Sequence, residues 1–242
     1  MRTRFPAVIL VATSMTLLGT FASHGLGQTQ EPKVPAEINA QFADPDVKAF
    51  VDRFESESRE VAAKRNAIVD SLAIKPGMRV ADVGAGTGLF TRLLAEKVGT
   101  AGKVHAVDIS ESFLKHIAEE SKKLGQSQVT TLLGAQADAK LPANSVDLIF
   151  LCDVYHHVES PKAWLASLRK ALKPDGRLVL IEFDRDAPGQ RDFVKTHVRA
   201  DKATFQKEFE AAGFTPIEIK GAPALSENFL QGYRKAELPS DR

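Results

Sequence analysis

Val80-Ala81-Asp82-Val83-Gly84-Ala85-Gly86-Thr87-Gly88 is a short apolar strand running into three glycines at alternate positions. A helix is predicted to open at Leu89, with Leu89, Phe90, Leu93 and Leu94 on one face. Glycines let the backbone turn sharply and come close to a ligand that a Cβ would push away. The helix that follows aims its free N–H groups at whatever sits in the turn. The stretch therefore reads as a strand–loop–helix nucleotide cradle.

The spacing narrows the nucleotide. The dinucleotide fingerprint is G-x-G-x-x-G. Here the glycines run G-x-G-x-G, and Leu89 stands where the dinucleotide form has its third glycine. A nicotinamide oxidoreductase is disfavoured on that ground. The chain has no G-x-x-x-x-G-K-[ST] run, which excludes a P-loop.

Outward from this loop, the chain of 242 residues suits one α/β domain of about 210 residues once an exported N-terminus is set aside. Lys plus Arg number 32 and Asp plus Glu 31, so no basic stripe marks a nucleic-acid surface. Cys152 is the only cysteine, which excludes an intrachain disulfide and a cysteine-rich metal site.

Residues 1–27 carry Arg2 and Arg4, then the largely apolar Phe5–Leu18, then small residues including Gly19, Ala22 and Ser23. That is the pattern of a signal peptide, or of a short uncleaved N-terminal anchor. It predicts a periplasmic or secreted protein, or one held at the membrane by that segment. Residues 28–45, with Pro32, Pro35 and Pro45, read as a linker. The domain then spans residues 46–236, and residues 237–242 are a polar tail.

Helices are predicted over Asp46–Glu55 and Arg59–Ala73, as a lid or as packing against the sheet. Strands follow at Arg79–Val83, Lys103–Asp108, Val129–Leu133, Val146–Leu151 and Arg177–Phe183, with helices between them. Ser110 stands where it can cap one helix, and Ser160-Pro161 opens another. Asp201–Ala212 is a helix, and Pro216–Lys220 and Phe229–Arg234 close the chain as a hairpin. Strands alternating with helices imply a mostly parallel sheet with helices on both faces.

Ligands of open α/β sheets lie beyond the carboxyl ends of the strands. Strand one ends in Gly84–Gly88. Strand two ends in Asp108, twenty residues after Gly88, where a carboxylate can accept both hydroxyls of a ribose or cap a helix. Strand three leads to Gly134-Ala135-Gln136-Ala137-Asp138, then Leu141-Pro142. Strand four ends in Cys152-Asp153-Val154-Tyr155-His156-His157-Val158. Glu182 and Asp184 end strand five, read here as a solvated edge.

From Arg59 to Arg234 these pieces resemble class I S-adenosylmethionine-dependent methyltransferases, in particular the small-molecule group that includes the ubiquinone and menaquinone C-methylases. The resemblance rests on the hydrophobic–acidic–hydrophobic–G-x-G-x-G run, Asp108, Asp138 with Leu141-Pro142, and Asp153–Val158 before Ser160-Pro161. It implies a Rossmann-like sheet of seven strands, the last antiparallel. It implies S-adenosyl-L-methionine as cofactor, and a small-molecule methyl acceptor as partner. The cofactor residues would be Asp82, Gly84, Ala85, Gly86, Gly88, Asp108, Ile109, Ala137, Asp138, Cys152 and Asp153. Asp82 would orient the loop and the cofactor's amino group, and Asp138 would bond the adenine amino group.

His156 and His157 are the base candidates, since a free imidazole titrates near neutrality; scaffold is the other reading of the pair. Tyr155 is placed at the acceptor pocket, and Cys152 is read as a small buried residue. No metal is expected, because adjacent histidines on an extended segment do not readily share one tetrahedral ion. Compartment is the departure from the family, whose cofactor is made in the cytosol. An exported nucleoside-binding module without turnover is therefore the alternative.

Overall fold

The computed structural model describes residue 34 and residues 36–236. The signal or anchor segment and the polar tail lie outside the described residues. Among those described, no helix is long and apolar enough to cross a membrane.

Seven apolar runs form one sheet: β1 (Arg79–Val83), β2 (Lys103–Asp108), β3 (Val129–Leu133), β4 (Val146–Cys152), β5 (Leu172–Phe183), β6 (Phe214–Ile217) and β7 (Asn228–Lys235). Their order is β3-β2-β1-β4-β5-β7-β6. β1 lies at the centre, with Val80 opposite Val104 of β2 and Leu148 of β4, all parallel. β7 is antiparallel to both β5 and β6, so the closing hairpin inserts its second strand and leaves β6 at the edge. The predicted sheet is thus present, with one antiparallel strand.

Alternation along the strands explains why two cores form. Successive side chains point to opposite faces. Ala81, Ile149, Leu151 and Leu180 pack with Trp164, Leu165 and Leu168 of α7 (Pro161–Ala171) and with Phe205 and Phe209 of α9 (Lys202–Ala211). Val80, Leu148, Phe150 and Val179 pack on the other face with Ile68 and Val69 of α4 (Arg65–Ser71) and Leu94 and Val98 of α5 (Leu89–Val98). A strand buried on both faces reads as a continuous apolar run, as Leu148–Leu151 does after Asp147.

Three local expectations change. Residues 28–45 contain a helix, α1 (Ala36–Ala40), whose Asn39 reaches across to His157, so the lower half of the expected linker belongs to the domain. α2 (Val47–Phe54) forms as read, with the Asp46 carboxylate accepting from the Ala49 amide. The expected Arg59–Ala73 helix breaks at Lys64 into α3 (Glu60–Ala63) and α4. The Lys64 ammonium bonds Glu60 and the Ala224 carbonyl instead of lying along one continuous helix. Ser110 precedes α6 (Glu111–Lys123), but its hydroxyl makes no cap bond; the Asp108 carboxylate takes the Ser110 amide.

Candidate functional site

A cavity of about 590 Å³ opens at the carboxyl ends of β1, β2, β4 and β5. It has a floor, a wall and a roof.

The floor is the glycine loop. Gly84 has φ +76°, and a Cβ there would stand 2.3 Å from Val154 Cγ2. Only glycine fits that position on both counts. The Asp108 carboxylate accepts from the Gly86 amide (2.8 Å) and the Ser110 amide (2.9 Å), bracing the loop from β2. Burial raises the Asp108 carboxyl, while those amides work to lower it. Beneath the loop, Asp82 accepts from the Thr91 hydroxyl (2.6 Å), which ties the end of β1 to α5. Burial pushes Asp82 up to about 7, against that hydrogen bond, and nearby Asp108 adds to the rise.

The wall begins at Asp153, which has φ +51°, a conformation uncommon outside glycine. Its carboxylate pairs with Arg59 Nη2 (2.6 Å) and accepts from Asn228 Nδ2 (2.6 Å). Burial raises the Asp153 carboxyl while Arg59 pulls it down. The chain then makes a 3-10 turn, Tyr155–His157. This turn stacks the two imidazoles 4.0 Å apart and brings both against His197, the last residue of α8 (Asp192–His197), at 4.9 and 5.2 Å.

Hydrogen bonds set the tautomers of the pair. Glu182, fully buried at the end of β5, accepts from His156 Nδ1 (2.7 Å), the His156 amide (3.1 Å) and the Phe183 amide (2.8 Å). Asn39 Nδ2 donates to the His157 carbonyl (3.0 Å) and to Glu159 (2.8 Å), so Asn39 Oδ1 is an acceptor. That oxygen lies 3.0 Å from His157 Nδ1, which therefore donates. In the neutral form of each ring these bonds put the proton on Nδ1 and the lone pair on Nε2. Burial, then the neighbouring histidines, hold His157 down to about 2; burial, then His156, bring His197 to about 4, with Glu182 opposing.

The roof comes from residues 38–59. Phe54 lies 3.5 Å from where a Gly86 Cβ would be. Phe50 meets Phe54 (5.0 Å), Phe42 (5.5 Å) and Phe113 of α6 (5.3 Å), and Phe42 meets His157 edge-on (4.9 Å). The helices before β1 therefore act as a lid over the cavity; α3 and α4 supply the packing.

Most of the predicted residues line this cavity: Asp82, Gly84, Ala85, Gly86, Asp108, Ile109, Cys152, Asp153, His156 and His157. Three do not. Gly88 (φ +81°) starts α5, where a Cβ would strike Ile117 at 2.8 Å; its role is packing. Ala137 and Asp138 sit in a tight turn closed by paired Ala135–Asp138 backbone bonds. The Asp138 carboxylate bonds the Lys140 amide and ammonium, and Gln136 lines the cavity in its place. Tyr155 is also corrected: it is wholly buried, donates to Glu208 (2.6 Å), and packs on Trp164, Phe205 and Phe209. Burial raises the Cys152 thiol well above its ordinary value. No local motif marks Asn39 or His197. Glu182 left one sign, a carboxylate inside the apolar run Leu178–Phe183, which demands a buried partner.

The sequence model of a family described as a methyltransferase domain matches residues 81–178. The ubiquinone/menaquinone biosynthesis C-methyltransferases UbiE of Shewanella pealeana and Escherichia fergusonii are each 33% identical over 118 residues. Those residues are 48% of this chain and 47% of each relative. The chain thus spans about half the length of the curated relatives it matches. A crystal structure of a SAM-dependent methyltransferase from Aquifex aeolicus superposes with TM-score 0.63 at 24% identity, covering 78% of this chain and 96% of that one. Residues 81–178 are thus similar to a methyltransferase domain, and the fold is that of the solved methyltransferase.

S-adenosylmethionine is the cofactor that this similarity implies, and the cavity has features that suit it. The Gly86 backbone is open to close approach, since a Cβ there would meet only Phe54. Asp108 presents a carboxylate beside the half-exposed Ile109 at the cavity edge. The cavity volume falls in the usual range for a drug-sized ligand, about 300–1,000 Å³.

Proposed function

We propose that this protein is an S-adenosylmethionine-dependent methyltransferase acting on a small-molecule acceptor. The observation that carries the reading is one roofed cavity with a nucleoside floor at one end and a histidine wall at the other. When bound, the cofactor supplies an electrophilic methyl carbon. Gly84–Gly86 and Asp108 would hold its nucleoside, Ile109 would give the adenine an apolar face, and Arg59–Asp153 would fix the end of β4 beneath the methionine portion. The roof excludes water from the reacting centre. The wall presents imidazole lone pairs, so it favours an acceptor that brings its own hydrogen, a hydroxyl or an amine.

The reading also places the protein outside the cytoplasm, or on a membrane through residues 1–27, and gives it no nucleic-acid partner. Fractionation of host cells with N-terminal sequencing tests the first point. A mature protein beginning between about Ser23 and Gln28 supports cleavage; intact Met1 in the cytosol sinks export.

Calorimetric titration of the chain with S-adenosylmethionine, its demethylated product and NAD tests the cofactor. The first two are expected to bind and NAD is not. Asp108→Ala is expected to lose affinity at least tenfold, about 1.4 kcal/mol or more, because a charged hydrogen bond is worth about 1.5–3 kcal/mol. A 2′,3′-dideoxy analogue should lose little from the same change. Equal losses would make Asp108 structural. Binding without methylation of any acceptor in a broad phenol, quinol and amine panel would favour a binding module.

A further inference from the structure

The geometry points to a divalent transition-metal site, of the zinc type, formed by His156, His157 and His197. One ring nitrogen of each lies within 4.8 Å of the others. Imidazole nitrogens about 2.0–2.1 Å from a tetrahedral ion stand about 3.3–3.4 Å apart, so closing on a metal needs movements of about 1 Å or a little more.

Three observations make this more than proximity. First, His156 Nε2 is buried and has no hydrogen-bond partner among the described residues. A buried lone pair without a donor is costly, and a cation is one way to satisfy it. Second, both adjacent rings are held in the ligating tautomer by acceptors behind them, Glu182 on His156 and Asn39 on His157. A carboxylate or amide oxygen behind a histidine is the usual outer support of a metal ligand. Third, the 3-10 turn removes the obstacle that an extended His-His segment would pose. The two ring centroids stand 4.0 Å apart, and all three histidines line the same cavity.

Arg53, whose charge is felt by His157 and His197, works against a cation, and the Glu182 carboxylate behind His156 works for it. The site stands apart from the methyl-transfer reading, since it can be measured without cofactor or acceptor.

The test is titration of the chelator-stripped full chain with Zn²⁺ against a chromophoric chelator, and with Co²⁺ followed by visible absorption. One Zn²⁺ per chain with submicromolar affinity and the absorption of a four-coordinate Co²⁺ site are expected. His197→Ala is expected to weaken Zn²⁺ by about 100-fold or more and to abolish the Co²⁺ bands. Glu182→Gln, an outer partner, should cost about 10–100-fold. Metal-free melting curves identify variants that have lost the fold, and His197→Asn replaces His197→Ala if needed. No stoichiometric binding, or binding undiminished by a folded His197 variant, overturns the site. Either result leaves S-adenosylmethionine titration as the separate measure of the methyltransferase reading.

Discussion

The floor and the wall of the cavity recognise by opposite means. The floor uses backbone: three glycines within five residues, their amides bonded to Val107, Asp108 and Ala85, and two carboxylates that brace the loop from below. The wall uses side chains brought from four segments. Asn39 is 118 residues from His157, and Glu182 is 26 from His156. The floor offers close backbone approach beside the Asp108 carboxylate, and the wall offers imidazole nitrogens. A carboxylate edge suits hydroxyls. A lone-pair surface suits hydrogens and cations. The two ends of one cavity are therefore selective for different chemistry, and they should fail differently.

The largest effect is expected at the wall. Glu182→Ala leaves three buried donors without their acceptor, and each such group costs about 1–3 kcal/mol. A loss of about 3–5 kcal/mol is expected, a melting decrease of about 10 °C or more for a chain of this size. An unchanged melting temperature would mean that Glu182 does not brace the histidines.

Next is the floor. Gly84→Ala puts a methyl 2.3 Å from Val154 at a positive φ. About 2–3 kcal/mol of stability should go, with at least a tenfold loss of S-adenosylmethionine affinity by calorimetry. Gly86→Ala meets Phe54 at an ordinary 3.5 Å and should cost less. If Gly86→Ala proves the worse of the two for folding, the loop is not held from the Val154 side.

The smallest effect concerns the tether behind both regions. Glu60 accepts from the Ser226 and Glu227 amides, the Ser226 hydroxyl and Lys64. These bonds outweigh burial and hold its carboxyl down to about 2. A carboxyl lowered in the folded state adds stability above its unfolded value, near 4.3, and loses it as pH falls toward 2. Chemical denaturation from pH 7 to pH 2 should show Glu60→Gln about 2 kcal/mol less stable than wild type at neutral pH. The two should converge in acid. A gap that persists at pH 2 would show that the deficit is not ionic.

The strands, the glycine loop and Asp108 were legible because each depends on neighbours in sequence: apolar runs, alternate glycines, an acid at a strand end. Asp138 misled because a carboxylate at the right distance along the chain had a nearer partner in Lys140. Tyr155 misled because a turn sends Tyr155 and His156 to opposite sides, one into the α7–α9 core and the other to the cavity. The wall was half visible. His156 and His157 announce themselves, but Asn39, Glu182 and His197 join them only through the crossovers of the sheet. No local pattern encodes those meetings.

Phe42, Phe50 and Phe54 pack ring against ring from the wall to the floor, with Arg53 lying over the last two. Such a chain of rings behaves as a single lever. Displacing Phe54 from Gly86 would therefore disturb Phe50 and Phe42, and through Phe42 the edge contact on His157, so the two ends of the cavity share one set of contacts.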